Sequence, residues 1–484
     1  MKNFNQAQKI IKQTNWRWVI CSLLFFATTI NYLDRQLLSL TWKDFIAPEF
    51  HWTDANYGTI TGFFSLFYAA VSLVAGRFID WMGSRKGYLW AIFVWSLAAV
   101  MHAGCGWATM KIEGIGSIEA LKAVESGSAL ALSISTVSVY LFLGCRALLA
   151  VGESGNFPAA IKVTAQYFPK KDRAFATAVF NSGASIGALV APLCIPLLAK
   201  MWGWEMAFVI IGALGFVWMG FWAELYTAPD KSKHVSPAEL AYINQDEAGE
   251  PAAEIKREQT KTISFWRCFT FRQTWAFIAG KAFTDGVWWF FLFWTPSYLN
   301  TQFGIKTSEG LGIALIFTLY AITMLSIYGG KLPTLIINKT GLNPYAARMR
   351  AMLIFAFFPL LVLLAQPLGT ISPWFPVIMI GIGGAAHQSW SANIFSTVGD
   401  IFPKSAIATI TGIGGMAGGV GSMLLQWFAG DLFVFAGETN LRFLGFEGKP
   451  AGYFIVFCIC AVAYLVGWIV MKALVPKYKL VVIK

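Results

Sequence analysis

Long apolar runs separated by short polar stretches repeat along the whole chain. A helix needs about 20 mostly apolar residues to cross a bilayer. Twelve runs approach that length: 18–40, 58–79, 87–109, 133–157, 174–199, 204–226, 275–299, 309–330, 351–368, 373–397, 406–430 and 452–474. The ninth is short, and the seventh is interrupted by charge. Gly and Pro occur inside many of them, as membrane helices tolerate. The pattern predicts an all-α integral membrane protein with twelve transmembrane helices. The first apolar run continues past residue 30 without a small-residue cleavage site, so no cleavable signal peptide is expected.

The longest polar stretch, about 227–272, divides the runs into two sets of six. We therefore expect an N-terminal six-helix bundle at 1–226, a cytoplasmic linker at 227–272 and a C-terminal six-helix bundle at 273–484. Within the linker, SPAEL at 236–240 reads as a helix start, with Ser236 as cap, Pro237 at the first helical position and Glu239 in the first turn. The halves share no clear sequence repeat, but six plus six is the layout of a duplicated transporter bundle.

Composition agrees with a membrane reading. The chain is 57% hydrophobic and 13% charged, where a soluble domain has about 25% charged residues; mean hydropathy is +0.59. Many of its 21 Trp lie where apolar runs meet polar loops, as in an interfacial belt. Lys and Arg concentrate in alternate loops: Lys2, Lys9, Lys12 and Arg17 at the start, Arg85 and Lys86 after the second run, and Lys170, Lys171 and Arg173 after the fourth. That asymmetry predicts cytoplasmic termini. It also accounts for the net charge of +12 through basic loops beside anionic lipid, without nucleic acid. The seven cysteines and four histidines show no metal-ligand spacing, so no metal or other cofactor is expected.

Charges inside the runs carry the functional signal. They are Asp34 and Arg35 in span one, Arg146 and Glu153 in span four, and Lys281 and Asp285 in span seven. A charge at the bilayer centre costs roughly 3 kcal/mol or more, and such residues usually mark ion or substrate paths. Arg146 and Glu153 are two helical turns apart, about 10 Å on one face. Lys281 and Asp285 are four apart and can neutralise each other along one helix. The plainer reading of the first set is an ion-pair cluster pinning two helices, but buried pairs are weak sources of stability. A desolvated carboxylate beside an arginine also has the parts of a protonation site.

Between spans two and three stands GRFIDWMGSRKG. Its Gly76, Asp80, Gly83, Arg85 and Lys86 match the signature of the major facilitator superfamily, a tight turn suited to a cytoplasmic latch; Trp81 replaces a usual basic residue. NYLDRQ in span one, CRALLAVGESGNFPAAIK at 145–162 and FNSGASIGALVAP at 180–192 resemble the anion:cation symporter family. KAFTDGVWWFFLFWTPSYL at 281–299 and AAHQSWSANIFSTVGDIFP at 385–403 resemble its hexuronate branch, which moves galacturonate and glucuronate. The resemblance implies proton-coupled symport of a sugar acid by a monomer in the bacterial inner membrane. It implies that Asp34 and Glu153 carry the coupling proton, that Arg146 pairs with those acids, and that Arg35 meets the substrate carboxylate.

Tyr32 lies about 60° from Arg35 on the helical wheel and can join it at one cavity. Tyr68, Asn181, His387, Gln388, Trp390 and Asn393 are polar or aromatic positions suited to sugar hydroxyls and a sugar ring face. Each also has a bland reading as packing, an interhelical hydrogen bond or a satisfied buried histidine. Trp288 and Trp289 stay open between core and interface. Other organic anions, such as an aldonate or an aromatic carboxylate, are alternative substrates. A non-transporting sugar-acid sensor would want a long soluble signalling domain, and an enzyme a nucleophile–base or metal motif; neither is visible.

Overall fold

In a bilayer the backbone must satisfy its own polar groups, and a helix does so within one segment. The computed structural model describes residues 14–245, 265–402 and 404–481. Lys2, Lys9 and Lys12 and the middle of the expected linker lie outside the described residues, as do the side chains of Asp80, Lys170, Lys171 and Arg173.

The first half is built from α1 (Trp16–Thr41), α2 (Asp54–Met82), α3 (Ser84–His102), α4 (Ala129–Glu153), α5 (Lys170–Trp202) and α6 (Trp204–Leu225). The second contains α7 (Arg272–Phe303), α8 (Gly310–Thr323), α9 (Pro344–Phe357), α10 (Trp374–Ile401), α11 (Lys404–Thr439) and α12 (Lys449–Leu474). Eight of these segments are long and apolar enough to cross a membrane, if α3 and the helix Cys105–Glu113, bent by 50°, count as one. The other four occupy predicted spans but differ from a plain apolar helix. α1, α7 and α10 have the length, at 26, 32 and 28 residues, and carry the polar side chains of the interior. α8 is apolar but only 14 residues long. The ninth span changes character at Pro359, where α9 gives way to a 3₁₀ stretch, Phe358–Leu364, and a short helix, Ala365–Gly369; proline cannot donate to the α-helical ladder.

Local signals set the element boundaries. Thr53 starts α2 with a capping box to Asn56, and Ser128 caps α4. Gly83 turns α2 into α3 at φ +79°, a conformation that L side chains rarely adopt. Ser236 accepts from the Glu239 amide at 3.2 Å and Pro237 opens the helix Pro237–Ile243. Glu239 then anchors the start of the chain: its carboxylate accepts from the amides of Trp16 and Arg17 at 3.1 Å, and pairs with the Arg17 guanidinium at 3.0 Å.

The helices form two six-helix bundles, bundle N and bundle C. They meet mainly where α2 lies along α11, with further contact between α5 and α8 and between α1 and α7. α11 is therefore sandwiched between α2 of one bundle and α7 of its own. A small hairpin, Arg442–Phe443 with Phe446–Glu447, connects α11 to α12.

Candidate functional site

α1 is amphipathic in an inverted sense: its polar residues point into protein. Asp34, Arg35 and Gln36 are all buried. From α1, Arg35 reaches the C-terminal residue of α4, donating from Nε (2.9 Å) and Nη2 (2.6 Å) to one oxygen, Oε2, of Glu153. Three rings surround the guanidinium, with centroids 5.0 Å (Tyr32), 4.8 Å (Tyr68) and 5.1 Å (Trp289) from its carbon. Trp289 belongs to bundle C, so the cage spans both bundles. Each cation–π contact in a desolvated setting is worth about 2 kcal/mol, and the charge-assisted hydrogen bonds fix the orientation.

Several charged atoms near the cage have no hydrogen-bond partner among the described residues. They are the second oxygen of Glu153, both oxygens of Asp34 and Nε of Arg146. Arg146 lies over the Phe64 ring at 5.3 Å. Among the described residues the direct hydrogen-bond partner of Glu153 is Arg35, and no hydrogen bond or ion pair joins Arg146 to either acid. The reason is geometric: two helical turns separate Arg146 from Glu153 on one helix, about 10 Å, whereas α1 brings Arg35 alongside. Uncompensated buried charge is destabilising by several kcal/mol, so this group is not explained as a device for stability.

The remaining candidates divide. Tyr32, Arg35 and Tyr68 are brought together; Asn181 is exposed on α5 and stands outside the cage. His387 is packed inside bundle C, with Nδ1 2.8 Å from the Tyr464 hydroxyl and its ring parallel to Trp288 at 5.5 Å. Trp390 is fully buried edge-on against Tyr464, and Asn393 donates to the Ser389 carbonyl of its own helix at 2.8 Å. Gln388 is half-buried. Lys281 and Asp285 form an ion pair of 2.8 Å along α7. The sequence reading left Trp289 open and did not single out Phe64; the available signal was that Trp289 follows Asp285 by one helical turn.

One end of the molecule is closed by contacts between the bundles. Ser39 and Tyr57 donate to the carbonyls of Leu292 and Phe293 at 3.0 and 2.9 Å. Trp42 stacks on Tyr57 at 4.1 Å, and both meet Trp294 edge-on. Asp44, in the short helical stretch Trp42–Ile46 after α1, accepts from the amide and hydroxyl of Thr307 at 2.7 Å and from Asn300 at 2.8 Å. Burial pushes its carboxyl above the ordinary 3.8, against the pull of the Thr307 and Asn300 hydrogen bonds and of Lys306. Asp54 pairs with Lys43 at 2.9 Å and with Lys449 of bundle C.

At the opposite end lies the 76–87 turn. Arg85 donates to the Ala223 carbonyl near the end of α6, and Trp222 Nε1 donates back to the Arg85 carbonyl at 3.3 Å. Lys86 is exposed, Trp81 is 80% exposed, and nothing lies within 4 Å of a methyl placed on Gly76. The described contacts of this turn are made within bundle N.

Two helical bundles facing each other across a caged charge define a membrane transporter rather than an enzyme. The chain belongs to the Major Facilitator Superfamily, whose family model matches residues 24–426. It is 27% identical over 465 residues to the hexuronate transporter of Escherichia coli (strain K12), covering 94% of this chain and 93% of that protein. It is also 27% identical to the D-galactonate transporter of Escherichia coli O6:H1, covering 86% and 89%. Among solved structures, a D-xylose-proton symporter superposes with a TM-score of 0.66 at 16% identity, covering 94% of this chain and 98% of the other; this likeness concerns the fold.

Proposed function

We propose that the protein takes up a hexuronate such as galacturonate or glucuronate together with a proton, by alternating access across the bacterial inner membrane. In this reading it works as a monomer with both termini in the cytoplasm. Residues 1–226 and 273–484 rock against each other around a site near the midplane. The observation that carries the reading is the caged Arg35, held by a single oxygen of Glu153. A substrate carboxylate offers Arg35 the same partner chemistry as Glu153. When the anion takes the guanidinium, Glu153 is released and binds a proton, because an unpaired carboxylate in a desolvated site favours its neutral form. Asp34, buried beside the pair, is the second proton carrier. Arg146 supplies positive potential to both acids.

The relatives' names support a sugar acid as the cargo. The galactonate transporter among them favours an aldonate as the second reading. The sensor reading is tested by the same experiment. Uptake of labelled galacturonate, glucuronate and galactonate into vesicles is measured with an imposed pH gradient, acid outside. Accumulation of a uronate above equilibrium that collapses with the gradient is the expected result. Accumulation of galactonate alone selects the second reading, and binding without uptake selects the sensor.

A further inference from the structure

The Lys281–Asp285 pair has no part in the mechanism so far; its own neighbours, Gly418 and Phe395, belong to bundle C, but it lies on the stripe of α7 that meets bundle N from Trp289 onward. Three contacts fix that stripe. The Trp289 ring meets Arg35 and lies 6.0 Å from both Phe64 and Tyr68. The Leu292 and Phe293 carbonyls accept from Ser39 and Tyr57 of bundle N. Asp285, Trp289 and Leu292 follow at i, i+4 and i+7, so they share one stripe of the helix. Asp285 sits one turn, about 6 Å, beyond Trp289 in the direction of the 76–87 turn.

The pair is asymmetric. Oδ2 of Asp285 takes the Lys281 ammonium at 2.8 Å, while Oδ1 is buried without a hydrogen-bond partner among the described residues. Lys281 is held in turn over the Phe395 ring at 4.2 Å. Gly418 of α11 lets the carboxylate pack directly on the helix backbone, since a methyl there would sit 2.1 Å from Oδ2. An acceptor oxygen without a donor is costly in an interior. A lone aspartate would also repel an anionic substrate. With Lys281 cancelling its charge, the carboxylate keeps a free acceptor and loses the repulsion, which suits the hydroxyls of a polyol. Trp289, one turn away, adds an apolar ring face.

We propose that Asp285 is a hydroxyl-binding residue of the transport site: its Oδ1 accepts from the polyol end of a sugar acid whose carboxylate sits at Arg35. The proposal rests on the sugar-acid reading above and adds the orientation of the substrate. Lys281 acts through Asp285, as a positioning residue.

Binding of D-galacturonate and of its monodeoxy analogues to the purified protein tests this by calorimetric titration. The variant Lys281→Met/Asp285→Leu removes the acceptor without leaving a charge unpaired; thermal unfolding checks its fold. Loss of a hydrogen bond to a charged acceptor predicts roughly tenfold or greater weakening for galacturonate. One deoxy analogue, lacking the hydroxyl that Asp285 would hold, should bind wild type and variant equally. Unchanged galacturonate affinity, or an equal loss for every analogue, would overturn the proposal while leaving the sugar-acid reading in place. Wild-type protein that binds no uronate or analogue would overturn both. Should that variant fail to fold, Lys281→Met/Asp285→Ala, which also removes the acceptor without leaving a charge unpaired, is titrated against the same ligands, with the same two outcomes deciding.

Discussion

Each bundle carries a buried ion pair in the membrane-spanning part of its first helix, Arg35–Glu153 and Lys281–Asp285, and the two are built differently. Arg35–Glu153 joins residues 118 positions apart on two helices. Its cation is wrapped by rings from both bundles; in both pairs the carboxylate keeps one oxygen unpaired. Lys281–Asp285 is made within one helix by an i,i+4 step. The local pair forms wherever its helix forms. The long-range pair depends on how α1 and α4 stand within bundle N, and its cage also on where α7 stands. A change in bundle arrangement therefore reaches the first pair through the Trp289 wall of its cage and leaves the second intact. Coupling between charge and motion is expected in bundle N, and a fixed surface in bundle C.

The strongest way to break that comparison is Glu153→Gln, which keeps size and hydrogen bonding and removes the charge. Proton-driven accumulation in proteoliposomes should vanish while counterflow exchange of substrate persists. A merely structural pair predicts otherwise: Arg35 left uncompensated costs several kcal/mol, so unfolding temperature and both transport modes would fall together. Accumulation at wild-type level would remove Glu153 as the essential carrier.

Next in size is Arg35→Lys. A lysine cannot reproduce the two N–H groups that Arg35 directs at one carboxylate oxygen, nor the flat stacking on three rings. Uronate affinity by calorimetry should fall roughly 10- to 100-fold while the protein still inserts and folds. Unchanged affinity would sink the carboxylate-clamp role.

A smaller effect is expected on the other side of the comparison. Replacing both members of a buried pair by apolar groups of similar volume is often neutral or stabilising. Lys281→Met/Asp285→Leu should therefore leave thermal stability at or above the wild-type level. A large loss of stability would show that the local pair, too, holds helices together.

The smallest expected effect concerns pH at the closed end. Burial raises the Asp44 carboxyl above 3.8 in this arrangement, while in an opened, solvated arrangement it returns toward 3.8. The closed arrangement thus binds the proton more tightly, and acid favours it. This contribution is complete below 3.8 and is lost as pH rises through the raised value. Distance measurements between spin labels on the 42–57 and 300–310 segments should show slightly more closure at acid pH. Asp44→Asn should make closure insensitive to pH in that range; an unaltered pH response would clear Asp44.

Much of the fold was legible because bilayer thickness and backbone satisfaction leave few options for apolar runs of this length. The helix start at Ser236–Pro237 was legible for a local reason, since a cap and its proline act within one turn. The pairing partner of Glu153 was not. Sequence spacing places Arg146 on the same face, but the distance along one helix exceeds a contact, and nothing in the spacing reports that α1 stands beside α4. Trp289 escaped for the same reason: its role as a wall of the cage depends on bundle N. His387 is a further case. Its polar character was visible in the sequence, whereas its Tyr464 and Trp288 neighbours, distant in the chain, were not.

The seam between α2 and α11 has a mechanical meaning. A methyl on Gly58 would sit 2.7 Å from the Gln426 carbonyl oxygen and 3.0 Å from the Gly430 Cα, and one on Gly430 would sit 2.8 Å from the Asp54 carbonyl oxygen. At this end of the seam backbone runs against backbone, while further along it the Trp427 ring seats against Gly62 and the Ser65 and Ser422 hydroxyls meet at 3.1 Å. The Gly58–Gly430 contact behaves as a plain bearing, on which one half can roll without climbing over side chains. A single added carbon at Gly58 or Gly430 would act as a wedge in that bearing, prising the halves apart at the end where they now touch.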